Sequence, residues 1–205
     1  MHTAVIVAGG LASRWGSYNK YFKHFAEIDG EPIISRTIRQ SSALFDRTVA
    51  VVPQFGYVSG VDQEILSPHE TRGREPWKIL SSKDEWSSGR TTLLYGDVYF
   101  TDTAIKKISA TRAKLAFLLR NNASTISGKP YGEIFAISFT RSMHAQITAA
   151  MEDFHPAPGV PERAGWHLLD RLRDVATLIE IEDETEDFDN GDEYERWMRN
   201  TGRRG

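Results

Sequence analysis

The sequence predicts an α/β protein with a mainly parallel central sheet. Three observations carry that prediction. Short apolar runs rich in Val, Ile and Leu recur along the chain, as strands buried on both faces do. Segments of helical period stand between them, and alternation of strand and helix is the pattern of a parallel sheet. The first run ends directly in Gly9-Gly10, as a strand does where it meets a ligand-binding loop.

In order, residues 4–8 form the first strand, and a polar, Gly-containing stretch follows from Leu11 to Lys23. Pro32 opens a helix through Ile33, Ile34, Thr37, Ile38 and Ser41, proline being a favoured start. Residues 48–52 are a second strand, stopped by Pro53, and 54–76 carry no clear period. Residues 77–80 read as a short strand, and 92–100 as one strand with a Gly-Asp break inside it. Thr101 or Asp102 caps a helix to about residue 110. Strands follow at 115–119 and 132–139, helices at 141–152 and 164–173, a last strand at 178–181 and a last helix at 191–199. Pro156-Ala157-Pro158-Gly159-Val160-Pro161 is a loop, because too little chain follows it for a second core. A single domain over 1–205 is expected.

Composition excludes several functions. The 205 residues are 40 % hydrophobic and 26 % charged, enough for a packed core. A net charge of -3 speaks against a nucleic-acid coat. No cysteine is present, which removes disulfides, thiol nucleophiles and Cys-ligated metals. No run reaches the length of a membrane span and no leader is evident, so a cytoplasmic protein is expected. The six histidines show no metal-ligand spacing.

The chemistry-bearing signal is Ala8-Gly9-Gly10-Leu11-Ala12-Ser13-Arg14-Trp15-Gly16. Glycines after a strand let backbone N–H groups face phosphate oxygens, and Arg14 offers a bidentate phosphate contact. The spacing fits neither standard phosphate loop, and a plain surface loop is the other reading.

The segment Ala8-Gly9-Gly10-x-x-Ser13-Arg14-x-Gly16 resembles the signature of MobA-like nucleotidyltransferases. Lys23-x-Phe25-x-x-Ile28-x-Gly30-x-Pro32 continues it, with Phe22 where the family often has proline and Lys20 as a rival lysine. Leu93-Leu94-Tyr95-Gly96-Asp97 and Asp187-Phe188-Asp189 are similar to the family's two later landmarks. The resemblance implies a Rossmann-like, GT-A-type three-layer sandwich. It implies transfer of NMP from an NTP to a small phosphorylated acceptor, most readily a sugar phosphate, with release of pyrophosphate. It implies Mg2+ held by Asp97 and Asp189, nucleotide contacts from Ala8, Gly9, Gly10, Ser13, Arg14 and Lys23, and catalytic roles for Arg14 and Lys23. Asp187 is expected on the opposite side, or acting through water. No nucleic-acid or membrane partner is implied.

Further candidates follow from position. The resemblance also implies that Glu133 faces the acceptor, with pairing to Arg141 or Lys129 as the other reading; Trp166 lies late enough in the chain to line the acceptor pocket. Ser88 and Arg90 contact the nucleotide, or form an ordinary turn before a strand. Asn190 and Glu193 have capping-box spacing. Two other functions compete. A GT-A glycosyltransferase would need Asp-x-Asp but not the glycine loop. A non-catalytic nucleotide-binding module would have no reason to keep Arg14, Lys23, Asp97 and Asp189 together.

Overall fold

The computed structural model describes residues 1–10, 15, 22–53, 56–67, 75–155 and 163–204. Its centre is a seven-stranded sheet. The strands are β1 (His2–Val7), β4 (Arg47–Val52), β5 (Gln63–Leu66), β6 (Arg90–Tyr95), β8 (Leu115–Arg120), β9 (Glu133–Thr140) and β10 (Thr177–Glu180). They lie in the order β10-β8-β9-β6-β1-β4-β5. β9 runs antiparallel to both β6 and β8, and the remaining pairings are parallel. Two short ribbons flank the sheet, β2 (Glu27–Ile28) with β3 (Glu31–Pro32), and β7 (Val98–Tyr99) with β11 (Glu186–Asp187).

Strand alternation builds two cores. Val5 and Val7 of β1 point to one face, with Ile79 and Leu80 of α2 (Glu75–Leu80), Ile147 of α4 (His144–Glu152) and Leu168 of α5 (Ala164–Leu172). Ala4, Ile6 and Ala8 point to the other, with Ile34 and Ile38 of α1 (Ile33–Leu44) and Ile105 and Ile108 of α3 (Asp102–Ser109). The result is the expected three-layer α/β sandwich. A third cluster seats α6 (Gly191–Thr201) through Tyr194, Trp197 and Met198 on Trp15, Tyr99 and Phe188. No described helix is long and apolar enough to cross a membrane.

Two element assignments from the sequence are corrected. Residues 77–80 are helical, as part of α2: Trp77 is exposed while Ile79 and Leu80 are buried, and so short an apolar run does not fix its own period. The stretch 92–100 is not one strand. β6 stops at Tyr95, a turn carries Gly96 and Asp97, and β7 pairs with β11 outside the main sheet. Thr101 caps α3, its Oγ1 accepting from the Ala104 N–H at 3.0 Å. The loop expected at 156–161 lies outside the described residues.

His24 is buried at 2 % exposure and its Nε2 lies 3.0 Å from the Tyr57 hydroxyl. Burial, reinforced by Lys23 and Lys78, holds its pKa down at about 3. A lowered histidine pKa means that folding favours the neutral ring. Its contribution is whole above the unfolded value near 6.5 and is lost as pH falls from there toward 3. His24→Gln should therefore flatten the decline of Tm over that window relative to wild type, measured by thermal melts at stepped pH. Parallel declines would contradict the assignment.

Candidate active site

The carboxyl ends of β1 and β6 meet where the Gly9-Gly10 and Gly96-Asp97 segments begin. The Gly96 N–H donates to the Val7 carbonyl at 3.0 Å. A Cβ on Gly96 would stand 2.7 Å from Ala8 Cβ and 3.0 Å from its Cα, so only glycine lets the two segments touch. A Cβ on Gly9 would stand 2.7 Å from Ser67 Oγ and 3.3 Å from Lys78 Cγ. Lys78 Nζ lies 3.6 Å from the same position on Gly10, so α2 brings a cation over the glycine pair.

β7–β11 pairing brings the late acidic segment to Asp97. Asp187 pairs with Val98, the residue next to Asp97. Phe188 then points into the third core, fully buried. Asp187 and Asp189, two apart in extended chain, share the opposite face. This corrects the expectation for Asp187: period-two alternation puts it on the same side as Asp189, not away from it.

Two lysines meet these carboxylates. Lys23 forms an ion pair with Asp97, and its Nζ lies 3.8 Å from Asp187 Oδ1. Burial opposes its charge, but Asp97 and Asp187 outweigh burial and hold its pKa above the ordinary lysine value. Burial, with Asp187 adding repulsion, raises Asp97, against the pull of Lys23. Lys129 Nζ is fully buried. It stands 3.0 Å from Glu133 Oε1, 3.3 Å from Asp189 Oδ2, 3.4 Å from Asp187 Oδ2 and 3.7 Å from Glu193 Oε2. The Tyr131 hydroxyl donates to Asp189 Oδ2 at 3.0 Å. Burial and the charge of Asp187 push the Glu133 carboxyl up to about 8, with Lys129 opposing.

α6 starts at the same spot. Asn190 Oδ1 accepts from the Glu193 N–H at 3.0 Å, and Glu193 Oε2 accepts from the Asp189 N–H at 2.9 Å. The capping spacing read in the sequence is therefore real, and it also fixes the Asp189 backbone.

Among the sequence candidates, Ala8, Gly9, Gly10, Lys23, Asp97, Asp189 and Glu133 lie at this edge of the sheet. Of the partners weighed for Glu133, the structure pairs it with Lys129. Trp166 is half-buried in the first turn of α5, next to Gly165, where a Cβ would stand 2.6 Å from the Tyr95 hydroxyl. Ser13, Arg14 and the rival Lys20 lie outside the described residues.

Ser88 and Arg90 are not brought to the site. Arg90 pairs with His2 at the amino end of β6, and its N–H donates to the Met1 carbonyl at 3.1 Å. At about 3.3 Å per residue, Gly9 is roughly 23 Å along the strand from His2. Arg90 donates instead to Ser138 Oγ at 3.1 Å and to the Arg112 carbonyl at 2.9 Å, a structural role. Strand polarity is the reason: a turn before a parallel strand lies at the edge away from the ligand.

The sequence reading did not place Lys78, Lys129 or Glu193 in the site, although it weighed Lys129 as a partner of Glu133 and Glu193 as a cap. Lys78 sits in the segment misread as strand. Lys129 and Glu193 look like ordinary loop and cap residues, and only the fold turns them inward.

Glu133, Asp187 and Asp189 present carboxylate oxygens within 4.8 Å of one another. Such an all-oxygen set suits a hard divalent ion such as Mg2+ rather than a soft one. The donor chemistry of these carboxylates fits, but the Lys129 ammonium stands among the three, and Asp97 is not one of them.

No curated protein matches the chain by sequence at a significant level. Its fold is that of several solved structures. A CTP:phosphocholine cytidylyltransferase from Streptococcus pneumoniae shares 14 % identity at a TM-score of 0.70, over 97 % of this chain and 98 % of that one. An inositol-1-phosphate CTP transferase from T. maritima shares 15 % at 0.66, over 97 % and 95 %. A protein from Bacillus anthracis described as a glucose-1-phosphate thymidylyltransferase shares 14 % at 0.64, over 96 % and 94 %. Residues 4–122 match the model of the MobA-like NTP transferase domain, and the chain belongs to that family.

Proposed function

We propose that this chain transfers a nucleoside monophosphate from an NTP to a small phosphorylated acceptor, a sugar phosphate first, and releases pyrophosphate. One observation carries the reading. Lys23, Asp97, Asp187 and Asp189 gather beside the Gly9-Gly10 segment in a member of this family. The proteins of like fold named above act on phosphocholine, inositol phosphate and glucose phosphate, so a phosphorylated small acceptor is the natural class.

In this reading, an acceptor phosphate oxygen attacks the α-phosphorus of the NTP, and the bond to the pyrophosphate leaving group breaks. The protein's task is alignment and charge neutralisation. Backbone N–H groups of Gly9 and Gly10 face the phosphates, with Lys78 above them. Lys23 exchanges its contact with Asp97 for phosphate oxygens, and Arg14 joins it. Asp97 and Asp189, with Asp187 beside them, would hold Mg2+, whose contribution would be to neutralise charge on the triphosphate. Trp166 and the exposed edge of Glu133 face the acceptor.

The test is a thermal-shift screen of the four NTPs with Mg2+, against a panel of nucleotide sugars. A ligand at about 100 times its Kd stabilises by about 2.7 kcal/mol, several degrees in Tm for a chain of this size. At least one NTP should give this shift; a nucleotide sugar should do so only as the transfer product, since NMP transfer to a sugar phosphate yields a nucleotide sugar. Shifts from nucleotide sugars with none from any NTP would favour a glycosyltransferase.

A further inference from the structure

We infer that Lys129 is a positioning residue: its ammonium is the built-in cation of the acidic centre, standing where Glu133, Asp187 and Asp189 would otherwise hold a divalent ion. Its purpose rests on the transferase reading, but its geometry does not.

The argument starts from cost. An ammonium buried without water is expensive unless charged groups surround it. Lys129 is fully buried, and four carboxylates stand within 3.7 Å of its Nζ. Three of them form the set whose oxygens lie within 4.8 Å of one another. The ammonium thus takes the centre of a ready oxygen cage.

The loop between β8 and β9 is wound to put it there. The Ser124 N–H donates to the Lys129 carbonyl at 2.8 Å, and the Gly128 N–H to the Ser124 carbonyl at 3.0 Å. Gly128, at φ 76, turns the chain in the left-handed region just before the lysine. The Ser127 N–H donates to Ser124 Oγ at 3.1 Å. A backbone so tied holds the ammonium in one place.

The consequence is a division of labour between the two lysines. Asp187 stands between them, with Oδ1 3.8 Å from Lys23 and Oδ2 3.4 Å from Lys129. Lys23 is the cation that leaves for the phosphates in the transferase reading. Lys129 stays, keeps Asp187 and Asp189 from repelling one another, and leaves a divalent ion to be shared between protein and nucleotide only on the Asp97 side. Without nucleotide, the chain therefore binds no divalent ion tightly.

The test needs neither NTP nor acceptor, so it can fail or succeed independently of the proposed reaction. Full-length wild type, Lys129→Met, Lys129→Gln and Lys129→Arg are titrated with Mn2+ alone. Bound Mn2+ is counted by electron paramagnetic resonance, and Tm is followed in parallel. Lys129→Met and Lys129→Gln should each bind one Mn2+ at least tenfold more tightly than wild type, with a Tm rise of roughly 5 °C at saturation. Lys129→Arg keeps the charge and should behave as wild type. If the neutral variants fold only when Mn2+ is supplied, the inference is supported. Folded neutral variants without extra Mn2+, neutral variants that Mn2+ cannot fold, or wild type binding Mn2+ as they do, would each overturn it.

Discussion

Asp97→Asn should lower kcat by at least about 1,000-fold, equivalent to roughly 4 kcal/mol of transition-state stabilisation, while the protein stays folded. The carboxylate sits in the turn that Gly96 presses onto Ala8, paired with Lys23 and next to Asp187. Nucleotidyl transfer places most of its barrier in charge on the phosphates, so the group proposed to hold the neutralising ion has a large effect. Asparagine keeps the shape and removes the charge. Burial already disfavours the charged form of Asp97, so the fold tolerates the neutral side chain. Pyrophosphate release, with circular dichroism as the folding control, measures it. A folded variant within tenfold of wild type would remove Asp97 from the proposed chemistry. Asp189→Asn should behave similarly, and Asp187→Asn should now also be damaging, because both carboxylates share one face.

Glu186→Ala should cost about 3–5 kcal/mol of stability, the usual penalty for stranding a buried charge, or roughly 6–20 °C in Tm. Glu186 is 1 % exposed and accepts both guanidinium arms of Arg120, at 2.8 and 3.1 Å, as well as the Ser124 hydroxyl. That pair clamps β11 to the end of β8, and β11 carries Asp187 into the site. The double variant Arg120→Met/Glu186→Ala should recover much of the loss, because no unpaired charge remains. Thermal melts of wild type and the two variants decide it. A single variant losing less than about 1 kcal/mol would show that the pair does not hold the ribbon.

Much of this arrangement was legible in the residues, for physical reasons that also mark where legibility stopped. β1 announces itself because a strand buried on both faces is apolar along residues 4–7, while β6 is legible only in part, through Leu93 and Leu94, its Thr91 and Thr92 being buried polar residues. The Gly-Gly and Gly-Asp segments that follow them were readable as the ligand edge; in the fold Gly9 and Gly96 stand where a Cβ would collide, 2.7 Å from Ser67 and from Ala8, while Gly10 has room. β5 was not readable. It is an edge strand of half-exposed residues, Gln63-Glu64-Ile65-Leu66, with neither alternation nor an apolar run. α2 was misread because four residues do not define a period.

The site shows the same boundary. The acidic cluster was half legible. Asp97 and Asp189 stood out, while Asp187 needed only the parity of an extended strand to be placed beside Asp189. Ser88 and Arg90 needed only strand direction to be excluded. Lys129 was beyond reach as a cation of the centre. A lysine in a Ser-Gly-Lys-Pro loop reads as solvated, and only the packing of β9, β11 and α6 around it makes it buried.

The most direct test of the account is pyrophosphate release by the purified chain with Mg2+, the best-binding NTP and a panel of sugar, polyol and choline phosphates. Release should require both the NTP and one phosphorylated acceptor, and the organic product should gain the mass of one nucleoside monophosphate. Binding of NTP with no pyrophosphate from any acceptor, or glycosyl transfer from a nucleotide sugar without pyrophosphate, would contradict it.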